Sequence, residues 1–328
     1  MRRAARVVML ALLLAGEFSA AAAEDSARTY PSRAIRLIVP FPPGGPADTI
    51  ARIVGQKMSE HWSEPVITEN RAGGNTAIGA QFVAKSAADG YTLLVAMDVT
   101  MVMNPLVMKN PPYDPLKDFT PVTLLNKSFA LITTRNDGPI TIAELISAAK
   151  AHPNTLSMGA GTITSRLGAS AFLQRAGIDV TLVPYKGSAE ITQGLLTGAV
   201  DFAIDGVPNA LPLIRAGKFR ALAKYSNQPL RVLPDVPSLS VAANLPDIGE
   251  SSAWIGLVAP AHTPEAIVDK LQHEVAQTFA DPVMADRLRK AGLSADSSTP
   301  TELDAFIRSE SARWRALIRS GVADKILE

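Results

Sequence analysis

The segment Arg36-Leu37-Ile38-Val39-Pro40-Phe41-Pro42-Pro43-Gly44-Gly45-Pro46 decides the fold. Residues 36–41 form a short apolar run typical of a buried strand, and the prolines and glycines that follow end this run sharply. Pro46 suits the first turn of a helix, and Asp48 lies near the positive end of the helix dipole. The apolar residues that come next share one helical face: Ile50, Ile53, Val54 and Met58. The segment therefore predicts a strand, a tight loop and an amphipathic helix in succession.

The same unit recurs immediately downstream. Residues 65–69 and 91–97 are predicted strands, and residues 76–85 form a predicted helix between them. A Gly-rich loop, residues 70–75, joins the first of these strands to the helix. This βαβαβ order favours a parallel sheet with helices on its faces.

A long strand-like run at residues 122–135 precedes a second set of strands and helices. The last part of the chain is helical and is expected to pack back on the first set. We therefore predict an α/β chain with two lobes and two crossings between them, near residues 122–130 and 245–255. Lobe 1 comprises residues 24–125 and 250–328, and lobe 2 comprises residues 126–249.

The composition fits such a fold and excludes several classes of protein. The 328 residues are 47% hydrophobic and 19% charged, which allows a sizeable core and excludes general disorder. A net charge of +1 and an aromatic content of only 5% argue against a nucleic-acid partner. The chain has no cysteine, which excludes disulfides, thiolate metal sites and a cysteine nucleophile.

Residues 1–23 are predicted to be a cleavable signal peptide. Arg2, Arg3 and Arg6 form its positive start, an apolar run follows at residues 7–15, and the small residues 21–23 precede Glu24. The apolar run is much shorter than the roughly 20 residues that a membrane span needs. We therefore expect export by the general secretory route rather than a membrane anchor.

The sequence contains no convincing catalytic or metal-binding motif. Its four histidines are not paired at helical spacing or next to an acidic cluster, and the nucleophile-elbow and P-loop patterns are absent. Gly159-Ala160-Gly161 begins like a dinucleotide fingerprint, but Thr164 stands where the third glycine belongs. We therefore expect no catalytic residue, no metal and no cofactor, and the chain is not predicted to be an enzyme.

Six loops follow the carboxyl ends of predicted strands. They cover residues 41–49, 70–79 and 98–104 in lobe 1, and residues 159–165, 185–188 and 205–209 in lobe 2. Ligands bind at this edge in open α/β sheets, and Gly-rich turns that lead into helices expose backbone N–H groups suited to a carboxylate. One such loop more often only closes a tight turn. Six of them from two lobes indicate a ligand cleft.

Several short motifs occur in order along the predicted mature chain. They are Tyr30-Pro31-Ser32 with residues 35–45, Glu69-Asn70-Arg71, residues 89–94, residues 112–115 with 117–119, residues 183–188, residues 233–237, and residues 253–254 with 256–260. In this order they resemble the Bug-type (TctC-like) solute receptors, which are the extracytoplasmic binding proteins of tripartite tricarboxylate transporters. The resemblance implies an α/β, two-lobed type II periplasmic-binding-protein fold with a ligand cleft between the lobes.

The resemblance also implies where a ligand is held. A carboxylate would bind mainly to backbone amides and ordered water at the first two loops of lobe 1, and lobe 2 would close over it. The ligand-binding residues predicted on this basis are Phe41, Pro43, Gly44, Gly45, Ala47, Asp48, Thr49, Gly73, Gly74, Asn75, Thr76, Asp98, Thr100, Thr162, Thr164, Ser165, Arg166, Tyr185, Lys186, Gly187 and Asp205.

Three stretches depart from the pattern of these receptors. Residues 75–77 replace glycines, Arg166 replaces a histidine, and residues 97–103 (MDVTMVM) replace a Thr/Ser/Gly-rich loop. If Asp98 and Asp205 both face the cleft, they favour a ligand with an ammonium or another hydrogen-bond donor, because an unpaired buried carboxylate is costly. Arg166 either pairs with a second carboxylate or is solvated. The methionines of residues 97–103 either form an adaptable apolar wall or are ordinary core and surface residues.

The resemblance leads to a functional expectation. The protein is predicted to be a periplasmic receptor that captures a small carboxylate by lobe closure and delivers it to the membrane subunits of a tripartite transporter. The ligand would be a di- or tricarboxylate, an amino acid or an aromatic acid, and the receptor a monomer. An alternative is a ligand-sensing co-receptor for a membrane sensor kinase, since the same cleft would serve both roles.

Overall fold

The structure is a computed structural model that describes residues 28–185, 187–230, 232–245 and 252–319. The predicted signal peptide and Lys186 lie outside the described residues. The strands are β1 (Ile35–Val39), β2 (Val66–Asn70), β3 (Thr92–Met97), β4 (Phe119–Arg135), β5 (Ser157–Ala160), β6 (Thr181–Pro184), β7 (Phe202–Gly206), β8 (Phe219–Lys224) and β9 (Ser252–Pro260).

The helices alternate with these strands and then close the described chain. They are α1 (Pro46–Trp62), α2 (Ala77–Ala84), a π-helix (Val99–Met103), α3 (Asn104–Val107), α4 (Ile142–Ala151), α5 (Ile163–Ala176), α6 (Ser188–Thr197), α7 (Val207–Arg215), α8 (Leu239–Ala243), α9 (Glu265–Ala280), α10 (Pro282–Lys290) and α11 (Pro300–Leu317).

The strands form one hydrogen-bonded network with two parts. In the first part the order is β2-β1-β3-β9-β4, in which β1 runs parallel to β2 and β3, and β9 runs antiparallel to β3 and β4. In the second part the order is β4-β7-β5-β6, and β8 also pairs with β4. The parallel pairing predicted from the alternation of strands and helices is confirmed at β1–β2, β1–β3, β5–β6 and β5–β7.

Strand β4 joins the two parts of the network. Its residues 119–129 pair with β9, and its residues 130–135 pair with β7 and β8. The register with β9 shifts after Pro121 and again after Leu124. Pro121 has no N–H to donate to the ladder, and such irregularities bend and twist a strand. One continuous strand therefore runs from the first part of the network into the second, and the predicted crossings and lobe boundaries stay predictions.

Apolar side chains cover both faces of the first part of the network. On one face, α1, α9 and α10 bury a shared cluster that includes Ile50, Leu271 and Leu288. On the other face, α2, the π-helix and α11 bury a cluster around Trp254 and Trp314. The C-terminal helices thus pack on the first part of the network, as the sequence predicted. A separate cluster around Phe172 and Phe202 fills the second part.

Two segments that the sequence analysis treated as loops are partly helical. Helix α5 begins at Ile163 because the hydroxyl of Thr162 accepts a hydrogen bond from the N–H of Ser165 and caps the helix. The loop expected at residues 98–104 is instead a π-helix that continues into α3. All five residues of the π-helix are buried. A helix satisfies its own backbone groups, so this apolar segment can enter the core.

Candidate functional site

Asp48 holds the first candidate loop, residues 41–49, in place and is buried in the first turn of α1. Its carboxylate accepts hydrogen bonds from the N–H of Gly44 and the amide of Asn70, both at 2.9 Å, and forms an ion pair with Arg52. Burial raises the pKa of Asp48, but the hydrogen bonds from Arg52, Gly44 and Asn70 outweigh burial and hold the pKa below its ordinary value. Asp48 is therefore ionised, and its carboxylate holds the loop in place.

The N-terminus of α1 is open to an acceptor. Its N-cap residue, Gly45, has no side chain to bond the first turn, and Pro46 has no N–H. The N–H groups of Gly45 and Ala47 have no hydrogen-bond partner among the described residues. Phe41 contributes its carbonyl to Asn70 at 3.0 Å, while Pro43 is exposed and Thr49 half-buried. Free donors at the positive end of a 17-residue helix suit a carboxylate.

The second candidate loop contains four consecutive residues with positive φ, Gly73, Gly74, Asn75 and Thr76. The last two are costly in this conformation because they carry a side chain. The first N–H groups of α2 are already bonded within the loop, because those of Ala77 and Ile78 donate to the carbonyls of Gly74 and Gly73. The start of α2 is therefore less available to a ligand than the start of α1.

A buried polar network compensates this strain. The side-chain amide of Asn104 donates to the carbonyl of Asn75 at 2.6 Å and to the hydroxyl of Thr76 at 3.2 Å. Thr100 donates to the same hydroxyl at 3.0 Å, and Tyr113 donates to the carbonyl of Thr100. Asn75, Thr76 and Thr100 are thus engaged with the π-helix region. The sequence analysis missed Asn104 and Tyr113 as positioning residues, although both occur in segments that it had singled out.

Asp98 connects the two sets of candidate loops. It directly precedes the π-helix, and its carboxylate accepts a hydrogen bond of 2.5 Å from the hydroxyl of Thr164 in the first turn of α5. The pKa of Asp98 is raised to about 6, mainly by burial and in smaller part by Glu310, although the hydrogen bonds from Thr164 and the N–H of Val99 oppose this rise. Asp98 and Thr164, both predicted as ligand-binding residues, are therefore hydrogen-bonded to each other where the two parts of the fold are in contact.

The loops of the second part converge on Asp205, at the carboxyl end of β7. Its Oδ1 atom accepts hydrogen bonds from the hydroxyl of Ser188 at 2.6 Å, the N–H of Gly206 at 2.8 Å and the amide of Asn209 at 3.4 Å. No described residue donates to Oδ2. Burial raises the pKa of Asp205 although these three donors oppose it. One oxygen is thus held rigidly, while the other is available as an acceptor.

The remaining predicted residues of the second part have mixed roles. The Tyr185 ring lies close to the backbone of Gly159 and packs with the cluster around Ile191 and Phe219. Gly187 forms the N-cap of α6 without a side-chain bond, and the hydroxyls of Thr162 and Ser165 bond within the first turn of α5. Arg166 is half-buried, and its Nε atom is buried without a hydrogen-bond partner in the described structure.

Two further observations bear on the predicted function. Among the residues that the structure describes, no helix is long and apolar enough to cross a bilayer. Over the same residues, no group of three or more His, Cys, Asp or Glu side chains is arranged to hold a metal ion. Met101 and Met103 are fully buried in the cluster around Trp254, so these two are core residues rather than an exposed wall.

Comparison with known proteins places the chain among relatives of similar length. The family described as "Tripartite tricarboxylate transporter family receptor" matches residues 50–321. A Pseudomonas sp. (strain P51) protein encoded in the tcbD–tcbE intergenic region is 37% identical over 292 residues, which cover 88% of this chain and 86% of the relative. BugT of Bordetella pertussis is 32% identical over 302 residues, covering 91% of this chain and 92% of BugT.

Solved structures show the same likeness. An R. palustris protein solved with adipate is 33% identical, with a TM-score of 0.79 over 88% of this chain and 97% of that protein. MatC of Rhodopseudomonas palustris, solved with bound malate, is 32% identical, with a TM-score of 0.75 over 88% of this chain and all of that protein. These findings confirm the resemblance seen in the sequence motifs. The chain belongs to the receptor family of the tripartite tricarboxylate transporters and has the two-lobed α/β fold of its periplasmic binding proteins.

Proposed function

We propose that this protein is a periplasmic receptor that binds a small carboxylate between its two lobes and delivers it to the membrane subunits of a tripartite transporter. The open N-terminus of α1, with its free N–H donors at Gly45 and Ala47, carries the proposal. Export through the signal peptide at residues 1–23 would bring the receptor to the periplasm. The adipate and malate in the two Rhodopseudomonas structures support a dicarboxylate as the class to test first.

Lobe closure provides the mechanism. The ligand carboxylate binds the start of α1 while the lobes are apart, and lobe 2 then closes over the remaining part of the ligand. Binding energy that is larger in the closed form shifts the population toward that form, which a membrane partner can then recognise. No covalent step is involved, and no residue of the site acts as a nucleophile or a general base.

A thermal-shift screen of the mature chain tests the proposal. The protein is first unfolded and refolded to remove any ligand acquired during expression, and is then mixed with adipate, malate, citrate, glutamate and benzoate. A ligand that binds only the folded state raises the midpoint by mass action, by an amount that grows with its concentration. A concentration-dependent shift with one class of carboxylate supports the receptor function. A flat response to every carboxylate contradicts it.

Asp205 is expected to select ligands that carry a donor. An Asp205→Asn protein should bind glutamate about tenfold or more weakly, because a hydrogen bond to a charged group contributes roughly 1.5–3 kcal/mol. Its affinity for glutarate, which lacks the ammonium group, should change by less than about twofold. Isothermal titration with the two acids measures the difference. Equal losses of affinity for both acids would show that Asp205 does not bind the ammonium group of the ligand.

Arg166 is expected to pair with the second carboxylate of a diacid. An Arg166→Ala protein should bind adipate about tenfold or more weakly than the unaltered protein, while hexanoate affinity stays the same. The expectation follows from the buried Nε atom, which has no partner among the described residues and therefore lacks an acceptor. Unchanged adipate affinity in titration calorimetry would show that Arg166 does not bind the second carboxylate and is solvated instead.

A further inference from the structure

The hydrogen bond between Asp98 and Thr164 joins the two lobes at a buried point. Both side chains are only 4% exposed, and the oxygen atoms lie 2.5 Å apart. Asp98 belongs to the segment between β3 and the π-helix, whereas Thr164 belongs to the first turn of α5. The bond therefore connects elements from opposite sides of the predicted lobe boundary.

Apolar contacts surround this bond. Leu167, one turn after Thr164 in α5, is fully buried in the same cluster as Met101 and Val102 of the π-helix. Ile163 packs against that cluster as well. The start of α5 thus rests on the π-helix, and separating the two would expose these apolar side chains together with Asp98.

Among the described residues, no cation is paired with Asp98. On α11 the charged group that faces it is Glu310, another acid, which pairs with Arg313 and accepts a hydrogen bond from Trp314. On α5 the contact is the uncharged Thr164, and Arg166 does not contribute to the pKa of Asp98. Strands β3 and β9 and helices α2 and α3 carry no titratable side chain in their sequences. Burying an ionised carboxylate in these surroundings is costly.

We propose that Asp98 and Thr164 are the closure contact of this receptor, which forms as the lobes come together, and that closure is easier when Asp98 carries a proton. The inference rests on the proposed receptor function for the meaning of closure. It makes Asp98 and Thr164 positioning residues, which act through the equilibrium between open and closed forms and do not touch the ligand.

The direction of the pH effect follows from linkage. Burial raises the pKa of Asp98 to about 6 when the hydrogen bond to Thr164 is formed, which is the arrangement that the proposal takes as closed. In the open form water reaches the carboxyl, which then titrates in the ordinary range near a pKa of about 4. Closure therefore takes up a proton between these values, and the closed form gains as the pH falls. With these two values, the ratio of closed to open molecules rises about tenfold between pH 7.5 and pH 5.

The test measures lobe separation without any ligand. Because the chain has no cysteine, Ala87→Cys in lobe 1 and Ala189→Cys in lobe 2 give two unique, exposed positions for spin labels. Pulsed dipolar spectroscopy between pH 5 and 7.5 then reports the closed fraction. We expect this fraction to increase toward pH 5 in the labelled protein. A distance distribution that is independent of pH overturns the proposal.

Variants separate the contact from general effects on folding. Asp98→Asn should remove the pH response and close more readily at pH 7.5, whereas Asp304→Asn, at an exposed ion pair on α11, should leave the response unchanged. Thr164→Val should lower the closed fraction, Thr164→Ser should restore it, and Thr197→Val on α6 is the matched control. A pH response that persists in Asp98→Asn overturns the proposal even if Thr164→Val fails to fold.

This outcome is distinguishable from a failure of the receptor function. The spectroscopic measurement uses no carboxylate, so a flat thermal-shift screen leaves the closure result intact. Conversely, a carboxylate that binds with no pH-dependent change in lobe separation overturns the closure contact alone.

Discussion

An Asp48→Ala protein is expected to lose carboxylate binding and to unfold with a free energy lower by about 2–4 kcal/mol. The substitution leaves the N–H of Gly44 without its acceptor, removes one of the two acceptors of the Asn70 amide, and removes the ion-pair partner of Arg52. A hydrogen bond to an ionised group such as the buried Asp48 carboxylate contributes roughly 1.5–3 kcal/mol, less where the donor is exposed like Gly44, and without these bonds the loop that presents Gly45 and Ala47 loses its fixed shape. Urea unfolding gives the change in stability, and titration with adipate gives the loss of binding.

The control for this experiment is Asp304→Ala, which removes an exposed partner of Arg308 on α11. Exposed ion pairs contribute roughly 0–1 kcal/mol, so its stability should hardly change. The pH dependence of stability gives a second check. The unfolding free energies of the unaltered protein and of Asp48→Ala should become equal in acid. The lowered pKa of Asp48 means that its contribution is present above the ordinary carboxyl pKa of about 4 and is lost as the pH falls through the lowered value. An Asp48→Ala protein with unchanged adipate affinity would contradict this account of the loop.

A Gly79→Ala substitution is expected to destabilise the protein although it places a better helix former in α2. A Cβ atom at residue 79 would lie 2.8 Å from the carbonyl oxygen of Arg71 and 2.8 Å from Cβ of Pro40. Helix propensity favours alanine by about 1 kcal/mol, whereas overpacking against backbone costs about 1–3 kcal/mol. Because Pro40 and Arg71 flank the first and second loops, we expect a net loss of about 1–2 kcal/mol and at least tenfold weaker adipate binding.

Gly55→Ala in α1 is the matched control. A Cβ atom there would lie 3.3 Å from the side-chain ends of Leu37 and Val66, which can move by a few tenths of an ångström. Helix propensity then decides the sign, and stability should be unchanged or slightly higher. Thermal unfolding of both variants measures the contrast. A Gly79→Ala protein as stable as Gly55→Ala would show that α2 can shift away from the two loops without cost.

The alternation of strands and helices was predictable because most apolar runs end at a break rich in proline, glycine or polar residues. Residues 36–41 illustrate this, since β1 lies at Ile35–Val39 and the break leads directly into α1. The π-helix was not predictable, because an apolar segment of five residues is too short for its periodicity to identify it. Its conformation depends on burial against α11 and α5, which contribute Trp314 and Leu167 to the same cluster.

The positions of the candidate loops were predictable from the strand ends, whereas the contacts within them were not. Nothing local in the sequence links Asp98 to Thr164 or Asn104 to Asn75, because these pairs come together only through the tertiary fold. The same applies to Asp205, where Oδ1 accepts from donors of α6 and α7 while no residue that the structure describes donates to Oδ2. The residue types indicated a polar site, and the fold adds which of their polar atoms already have partners among the described residues.

The place of β9 in the sheet has a consequence for biosynthesis. This strand lies between β3 and β4, yet its residues come more than a hundred positions after both of them in the chain. Until residues 252–260 are available, β3 and β4 each lack one neighbour and cannot be joined, and bringing together such distant segments is slow because loop closure costs entropy. The first part of the network therefore stays incomplete until late in synthesis. Under the proposed export, this delay would keep the chain from folding before it crosses the membrane.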